Sequence, residues 1–299
     1  MGKSVSVVIA TYNREDVLCE TIEQFKRQNY DDYTVHIVDH TIKHDTSTQN
    51  YLDSLPRQFR HYNLSEGGLC TARNFGLEQS DSDIIVYVDD DVNVERDFLS
   101  NHVHEYENPK VGAVAGQVLT PRHPEPINKP PIGKITWYGR SISRLHSSQP
   151  GYVKEGRGCN MSFRTEVLNT VGGFDTNLEF RDESDIFSQI KKKGYLIRFS
   201  PDAGLYHKEN EMGGTIFSEQ ASPSEIIQVS KNKHYYHLKN KPLITFPLAV
   251  LTSILYQFKT REKIHKIPYD ISLIFKGTYA GFLLWLGLVT SDQQSEKKL

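Results

Sequence analysis

Short apolar, β-branched runs recur along the chain, separated by segments with helical spacing, and three of these runs end in polar clusters. Residues 5–10 (VSVVIA) are such a run and read as a buried strand stopped by Thr11-Tyr12-Asn13. Residues 14–28 then place Val17, Leu18, Ile22 and Phe25 on one helical face, with Asn13 as candidate N-cap. Further strands are expected at 35–39, 59–63, 84–88, 111–119, 196–200 and 204–206, and helices at 70–78, 97–107, from Thr165, and from Asp182 to Lys193. Such alternation predicts an α/β fold with a doubly wound, mainly parallel sheet flanked by helices. Ligands bind beyond the carboxyl ends of the strands in such sheets. The clusters Thr11–Arg14, Asp39-His40 and Asp89–Asp91 all fall at those ends and should converge. Residues 121–150, rich in Pro, His and Ser, read as a long loop of the kind that often serves as a lid.

The chain of 299 residues is long enough for one large α/β domain with a sizeable core, and its 37% hydrophobic and 24% charged residues are those of a globular protein. A net charge of −2 points to no particular partner and gives no reason to expect nucleic acid. The distribution of charge is uneven. Residues 231–299 hold eleven Lys or Arg against four Asp or Glu, a balance of +7, whereas residues 1–230 hold 24 against 33, a balance of −9. A basic tail on an acidic body suggests an anionic surface as partner. The three cysteines, Cys19, Cys70 and Cys159, lack CxxC spacing, which fits a reducing cytoplasm, and the apolar segment near the N-terminus is too short for a secretory signal.

Five features carry chemistry, each beside a plainer alternative. Asp89-Asp90-Asp91 follows a buried strand; three adjacent carboxylates repel one another unless a hard divalent cation sits among them, although they could form a solvated acidic turn. Asp182-Glu183-Ser184-Asp185 opens a helix, where acids complement the dipole, yet three acids in four residues exceed what capping needs, and one could act as general base. His207 is a candidate ligand or a structural hydrogen bonder. Gly156-x-Gly158 could mark a turn or a close approach to phosphate or sugar, and Arg73 could contact a diphosphate or lie solvated on its helix.

These residues resemble the inverting family-2 glycosyltransferases of the GT-A fold over about residues 4–210. The likeness rests on Val7-Val8-Ile9-Ala10-Thr11-Tyr12-Asn13-Arg14, Ala72-Arg73-Asn74-x-Gly76, Val88-Asp89-Asp90-Asp91, Gly158-Cys159-Asn160-Met161-Ser162-Phe163-Arg164, Gly172-Gly173-Phe174-Asp175 and Arg181-Asp182-Glu183-Ser184-Asp185. The resemblance implies a nucleoside-diphosphate sugar donor, with UDP favoured, and Mn²⁺ or Mg²⁺ as cofactor. It places Thr11, Tyr12 and Asp39 at the nucleobase, Asp89 at the ribose, and Arg14, Arg73, Asp90 and Gly158 among the residues around the donor. Asp91 would hold the metal, with Asp89 and His207 as its companions. Glu183 would be the base, with Asp182 and Asp185 as rivals, because the motif reads Asp-Glu where Glu-Asp is more frequent. A second departure is His40-Thr41-Ile42, where the family often has Asp-Gly-Ser. The implied mechanism is direct attack by an acceptor hydroxyl on the anomeric carbon, with inversion.

The expected division is a catalytic domain over 1–230 and a basic, apolar helical tail over 231–299. The apolar stretches 243–258 and 271–289 are short or interrupted for membrane spans: the first contains Pro247, and in the second Ser272, Lys276 and Tyr279 form one polar stripe. Helices lying in the cytoplasmic membrane interface, near a glycan or lipid-linked acceptor, are favoured; packing on the catalytic domain or a homo-oligomer interface is the alternative. A sugar-phosphate nucleotidyltransferase or NAD-dependent dehydrogenase is disfavoured because no Gly-rich phosphate loop follows the first strand. A nucleotide-sugar-binding protein without activity is the remaining competitor.

Overall fold

The structure, a computed structural model, describes residues 2–209, 222–260 and 267–288. Its strands are β1 (Val5–Thr11), β2 (Tyr33–Asp39), β3 (Phe59–Asn63), β4 (Ile84–Val88), β5 (Val92–Val94), β6 (Val111–Leu119), β7 (Ile132–Ile135), β8 (Ser141–Arg144), β9 (Gly151–Val153), β10 (Asn160–Arg164) and β11 (Leu196–His207). The helices are α1 (Asp16–Phe25), α2 (Thr46–Asp53), α3 (Leu69–Glu78), α4 (Phe98–His104), α5 (Thr165–Thr170), α6 (Asp182–Lys192), α7 (Pro223–Asn240), α8 (Phe246–Thr260) and α9 (Ile267–Trp285).

The chain divides into two compact units. The first comprises Met1–Lys134, Ser143–Phe174 and Ile186–Thr215 and is built on a sheet in the order β3-β2-β1-β4-β10-β6-β11-β5, with β9 also paired to β11. The pairings β3-β2, β2-β1, β1-β4 and β6-β11 are parallel, and β10 runs antiparallel to both β4 and β6. Strands β1, β2, β3, β4, β6 and β11 therefore point the same way, so the sheet is mixed but mainly parallel in direction, as expected. Alternation along the strands fills two cores. Val5, Val7, Ile9, Ile84, Val86 and Val88 join Leu18, Ile22 and Phe25 of α1 and Phe98 of α4 on one face. Val8, Ile85 and Tyr87 join Ala72 of α3, Leu168 of α5 and Ile186, Phe187 and Ile190 of α6 on the other.

Local expectations fail where the signal was polar or very short. The helix α2 (TSTQNYLD) was missed because it is mostly polar, with only Leu52 and Tyr51 to pack on the core beside the buried Thr48; Asp45 starts it by accepting from the Thr48 N–H at 2.7 Å. Asn13 does not cap α1. It takes a left-handed φ of 52°, and Glu15 occupies the cap position without a side-chain bond. The stretch 121–150 is not all loop, since it holds β7 and β8. The two strands expected at 196–200 and 204–206 are one irregular strand, β11, whose pairing with β6 shifts between Ser200 and Leu205. The helix expected over 97–107 ends at His104 and continues as a 3₁₀ turn at Glu105–Glu107.

The second unit gathers Ile135–Ile142, Asp175–Asp185 and Ile216–Leu299. The helical tail thus shares a unit with residues 175–185, which a cut at 230 does not group with it. A capping box between Ser222 and Glu225 starts α7. Gly277 and Gly281 let α9 lie against α7: a Cβ on Gly281 would come within 2.6 Å of the Lys231 carbonyl oxygen, and one on Gly277 would strike that of Ile227. The buried His234 ties the three helices, meeting Ser253 Oγ of α8 at 3.2 Å and Thr278 Oγ1 of α9 at 2.9 Å. Among the described residues, Lys231 is buried, Lys239 pairs with acids, and Lys241 donates to the Ile135 carbonyl oxygen at 3.2 Å. Outward, α8 presents Leu251 and Leu255, while α9 presents Phe275, Lys276, Tyr279 and Phe282, so the expected polar stripe is shared with aromatics. Among the described residues no helix is long and apolar enough to cross a membrane. Residues 261–266 and 289–299, with Arg261, Lys263, Lys266, Lys297 and Lys298, lie outside the described residues, as does the side chain of Lys259.

Candidate functional site

The triplet Asp89-Asp90-Asp91 leaves the wholly buried strand β4 at its carboxyl end. Its three carboxylates do not face one way. Asp90 turns to the neighbouring strand end, where Thr11 Oγ1 donates to its Oδ2 at 2.6 Å and the Arg14 guanidinium lies 3.5 Å from its Oδ1. Burial pushes the Asp90 carboxyl up to about 7, against the Thr11 bond and the Arg14 charge. Its backbone carbonyl oxygen accepts from Thr21 Oγ1 of α1 at 2.7 Å. Asp89 and Asp91 instead share His207, at the end of β11, opposite Val92 of β5. His207 Nε2 lies 2.9 Å from Asp91 Oδ1 and 3.5 Å from Asp89 Oδ2. Burial would lower the His207 pKa, but the bond to Asp91 and the two carboxylate charges outweigh it and raise it.

Ligand atoms of Asp89, Asp91 and His207 all lie within 4.8 Å of one another. Two carboxylate oxygens and one imidazole nitrogen are a donor set that suits Mn²⁺ and accepts Mg²⁺, and a divalent cation would relieve the repulsion of the paired acids. The donor set therefore fits the metal implied by the resemblance.

Arg73 is buried rather than solvated. It lies 3.8 Å from Asp89 Oδ1 and donates from Nη2 to the Gly158 carbonyl oxygen at 3.2 Å. A Cβ on Gly158 would come within 2.7 Å of that nitrogen, so a larger residue there would push the guanidinium aside. Arg14 also reaches Asp91 Oδ2 at 3.8 Å. Tyr12 is exposed beside Thr11. The strand-end clusters do converge, since Asn13 N–H donates to Thr41 Oγ1 at 2.8 Å and Thr11 sits opposite Asp39 in the β1-β2 register.

Asp39 itself is fully buried and has protein partners on both oxygens: Thr41 N–H at 2.7 Å on Oδ1, and His44 and His61 at 2.6 and 3.1 Å on Oδ2. Burial pushes its pKa up, but the bonds from His61, Thr41 and His44 prevail and hold it at about 2. Sequence reasoning did not single out His44 or His61; isolated histidines in polar segments carry no signal. Nor did it find the network behind Asn160, whose Nδ2 donates to the carbonyl oxygens of Gln117 and Ala203 at 2.9 Å each while its Oδ1 faces His102 at 3.0 Å.

In the second unit, Asp182, Glu183 and Asp185 form the first turn of α6. Asp182 and Asp185 are buried and Glu183 is half-buried. Asp185 is held by Lys239 Nζ at 2.8 Å and Asn240 Nδ2 at 2.7 Å. The same ammonium lies 2.6 Å from Asp175 Oδ2, which also accepts from Tyr235 at 2.8 Å.

The mainly parallel sheet with helices on both faces is of the GT-A type, and solved structures agree in fold. The mannosyltransferase PcManGT from Pyrobaculum calidifontis, in complex with GDP-Man and Mn²⁺, superposes with a TM-score of 0.59 at 20% identity, over 94% of this chain and 76% of that one. TarS 1-349 of S. aureus, in complex with UDP-GlcNAc, gives 0.61 at 16% identity, over 92% and 81%. The glycosyl transferase family 2 model matches residues 6–172, and the chain belongs to that family. Among its relatives is the glucosyl-dolichyl phosphate glucuronosyltransferase of Haloferax volcanii, 27% identical over 71% of this chain and 69% of that protein. Another is the uncharacterized glycosyltransferase YwdF of Bacillus subtilis, 32% identical over 70% and 75%.

Proposed function

We propose that this glycosyltransferase is inverting and divalent-metal-dependent, moving a sugar from a nucleoside diphosphate, with UDP favoured, to an acceptor hydroxyl. The observation that carries this reading is the convergence of Asp89, Asp91 and His207 beyond the carboxyl end of β4. A Mn²⁺ or Mg²⁺ ion held by those three side chains would supply Lewis-acid stabilisation of the diphosphate leaving group.

The remaining roles belong to the chain. Arg73, fixed by the Gly158 carbonyl oxygen, offers a guanidinium beside Asp89 for a phosphate oxygen. Thr11 and the exposed Tyr12 line the nucleobase end, and Asp89 faces the ribose. Asp39, being buried, serves that end by fixing Thr41, His44 and His61. Arg14 and Asp90 brace one another beneath it. Glu183 takes the proton from the acceptor hydroxyl, the role that the resemblance implies for it, with Asp182 and Asp185 as rivals; Asp185 is bound by Lys239 and Asn240. The acceptor then attacks the anomeric carbon opposite the leaving group, without a covalent sugar intermediate.

A lipid-linked acceptor at the cytoplasmic face of a membrane is the acceptor reading with most support. The Haloferax relative is named for a dolichyl phosphate substrate. The outward Phe275, Tyr279 and Phe282 of α9 have the aromatic character of a face that lies in a lipid interface.

The deciding experiment incubates the protein with a panel of nucleotide-sugars in Mn²⁺, Mg²⁺ or EDTA, following nucleoside-diphosphate release and the anomeric configuration of the product. Release only with metal, and an inverted anomer, are expected. Full turnover in EDTA would sink the metal, a retained anomer would sink inversion, and thermal stabilisation by a donor without any turnover would leave a binding protein.

A further inference from the structure

A second group of ligand-type side chains converges at the carboxyl ends of β2 and β3. Asp39 ends β2, His44 follows in the loop just before the residue that caps α2, and His61 lies in β3 opposite Ile37. His44 Nε2 lies 2.6 Å and His61 Nε2 3.1 Å from the same oxygen, Asp39 Oδ2, and the three ligand atoms all fall within 4.8 Å of one another. On its other side, His44 Nδ1 lies 3.1 Å from each carboxylate oxygen of Glu15. A carboxylate on the remote nitrogen fixes the tautomer and direction of a metal-binding imidazole. His44 is buried, while the His61 side chain is 17% exposed and is the side from which solvent reaches the group.

We propose that Asp39, His44 and His61 bind a zinc-class divalent transition-metal ion, with Glu15 orienting His44, at a site separate from Asp89, Asp91 and His207. Two imidazoles and one carboxylate match the nitrogen-rich donor sets of Zn²⁺ better than the oxygen sets of Mg²⁺. One cation takes the place of the protons that otherwise separate Asp39 from two imidazoles. Ligand atoms about 2.0 Å from a tetrahedral Zn²⁺ sit about 3.3 Å apart. Binding therefore needs the three side chains to spread by roughly half an ångström. The ion clamps the β2–α2 loop onto β3. The ion adds to the role of Asp39 at the nucleobase end and supplies no step of the transfer itself.

Calorimetric titration with ZnCl₂ alone tests it, using Asp91→Asn so that the other site is impaired, alongside Asp91→Asn/His61→Gln, Asp91→Asn/His44→Gln and Asp91→Asn/Glu15→Gln. One Zn²⁺ per chain is expected in Asp91→Asn, accompanied by a rise in melting temperature. Affinity should fall at least tenfold with either histidine change, and about 10–100-fold with Glu15→Gln, the usual effect of removing such a supporting carboxylate. Co²⁺ should give visible absorption of a tetrahedral site that His61→Gln abolishes. His61 is partly exposed, so its variant tests the site even where His44→Gln fails to fold. No zinc uptake by Asp91→Asn, or unchanged affinity in the His61→Gln background, overturns the proposal. Metal-dependent turnover of the wild type is measured separately, so failure here leaves the acid site untouched.

Discussion

Lys239 Nζ lies 2.8 Å from Asp185 Oδ2, joining the last turn of α7 to the first turn of α6 across 54 residues of sequence. The same nitrogen holds Asp175 at 2.6 Å, so one cation neutralises two largely buried acids. Removing it leaves both carboxylates without that partner. Lys239→Met should destabilise the protein by about 2–3 kcal/mol, below the 3–5 of a fully buried pair because the Lys239 side chain is 28% exposed. Urea denaturation checks it; a change under 0.5 kcal/mol would contradict the role assigned to this clamp.

Two substitutions separate the candidate bases. Glu183→Gln should leave donor affinity near wild type while transfer falls by about 10²–10⁴-fold, the usual worth of general acid–base catalysis. Asp185→Asn should instead lower stability and disturb donor turnover less. If Asp185→Asn loses turnover at full stability and Glu183→Gln does not, the assignment is reversed.

Asp91→Asn should lower metal-dependent turnover by at least about 100-fold, or about 2.7 kcal/mol of barrier. His207→Ala, which removes the neutral ligand, should raise the Mn²⁺ concentration needed for half-maximal rate rather than abolish turnover at saturation. Nucleoside-diphosphate release across a Mn²⁺ titration measures both, and wild-type behaviour of Asp91→Asn would remove this residue from the metal site.

His102 gives a pH prediction. It is fully buried between Ser162 Oγ at 2.8 Å and Asn160 Oδ1 at 3.0 Å, and burial holds its pKa down at about 4, well under the ordinary 6.5. The unfolded chain therefore binds the proton first. Its contribution is present above pH 6.5 and is lost as pH falls through 4, amounting to roughly 3 kcal/mol in full at about 1.4 kcal/mol per unit. Stability curves at pH 7 and pH 4 should differ less in His102→Gln than in wild type; an equal difference would contradict the prediction.

The exposed aromatic face of α9 should hold the protein to lipid. Phe275→Ser with Phe282→Ser should abolish binding to anionic liposomes in flotation assays while donor-induced thermal stabilisation persists. Truncation at 230 is the poorer test, because α7 holds Asp175 and Asp185. Absence of liposome binding by the wild type, with a dimer that the double variant dissolves, would make this face an oligomer interface instead.

Most of the sheet was legible in the sequence because its signals are local. Residues 84–88 and 111–119 read as strands from runs of apolar or β-branched residues, and the structure places β4 and β6 there. The acids of 89–91 and 182–185 stood out because charge at a strand end or in a first helical turn is visible within a few residues. By contrast, α2 was hidden because a mostly polar helix has no periodicity to read.

What the sequence by itself determined is therefore most of the parallel strands and several of the helices between them, the carboxyl-end position of the acidic triplet, and the family, through six short segments in order. Tertiary structure alone decided which acid does what. The pleat of the chain turns Asp90 to Thr11 and Arg14 and leaves Asp89 and Asp91 to His207, more than a hundred residues away. It likewise brought His44 and His61 onto Asp39, and Lys239 onto Asp175 and Asp185. The physical reason is range: strand and helix patterns arise from residues two to four apart, whereas the partner of a carboxylate is set only once strand order and register place distant side chains within hydrogen-bond reach.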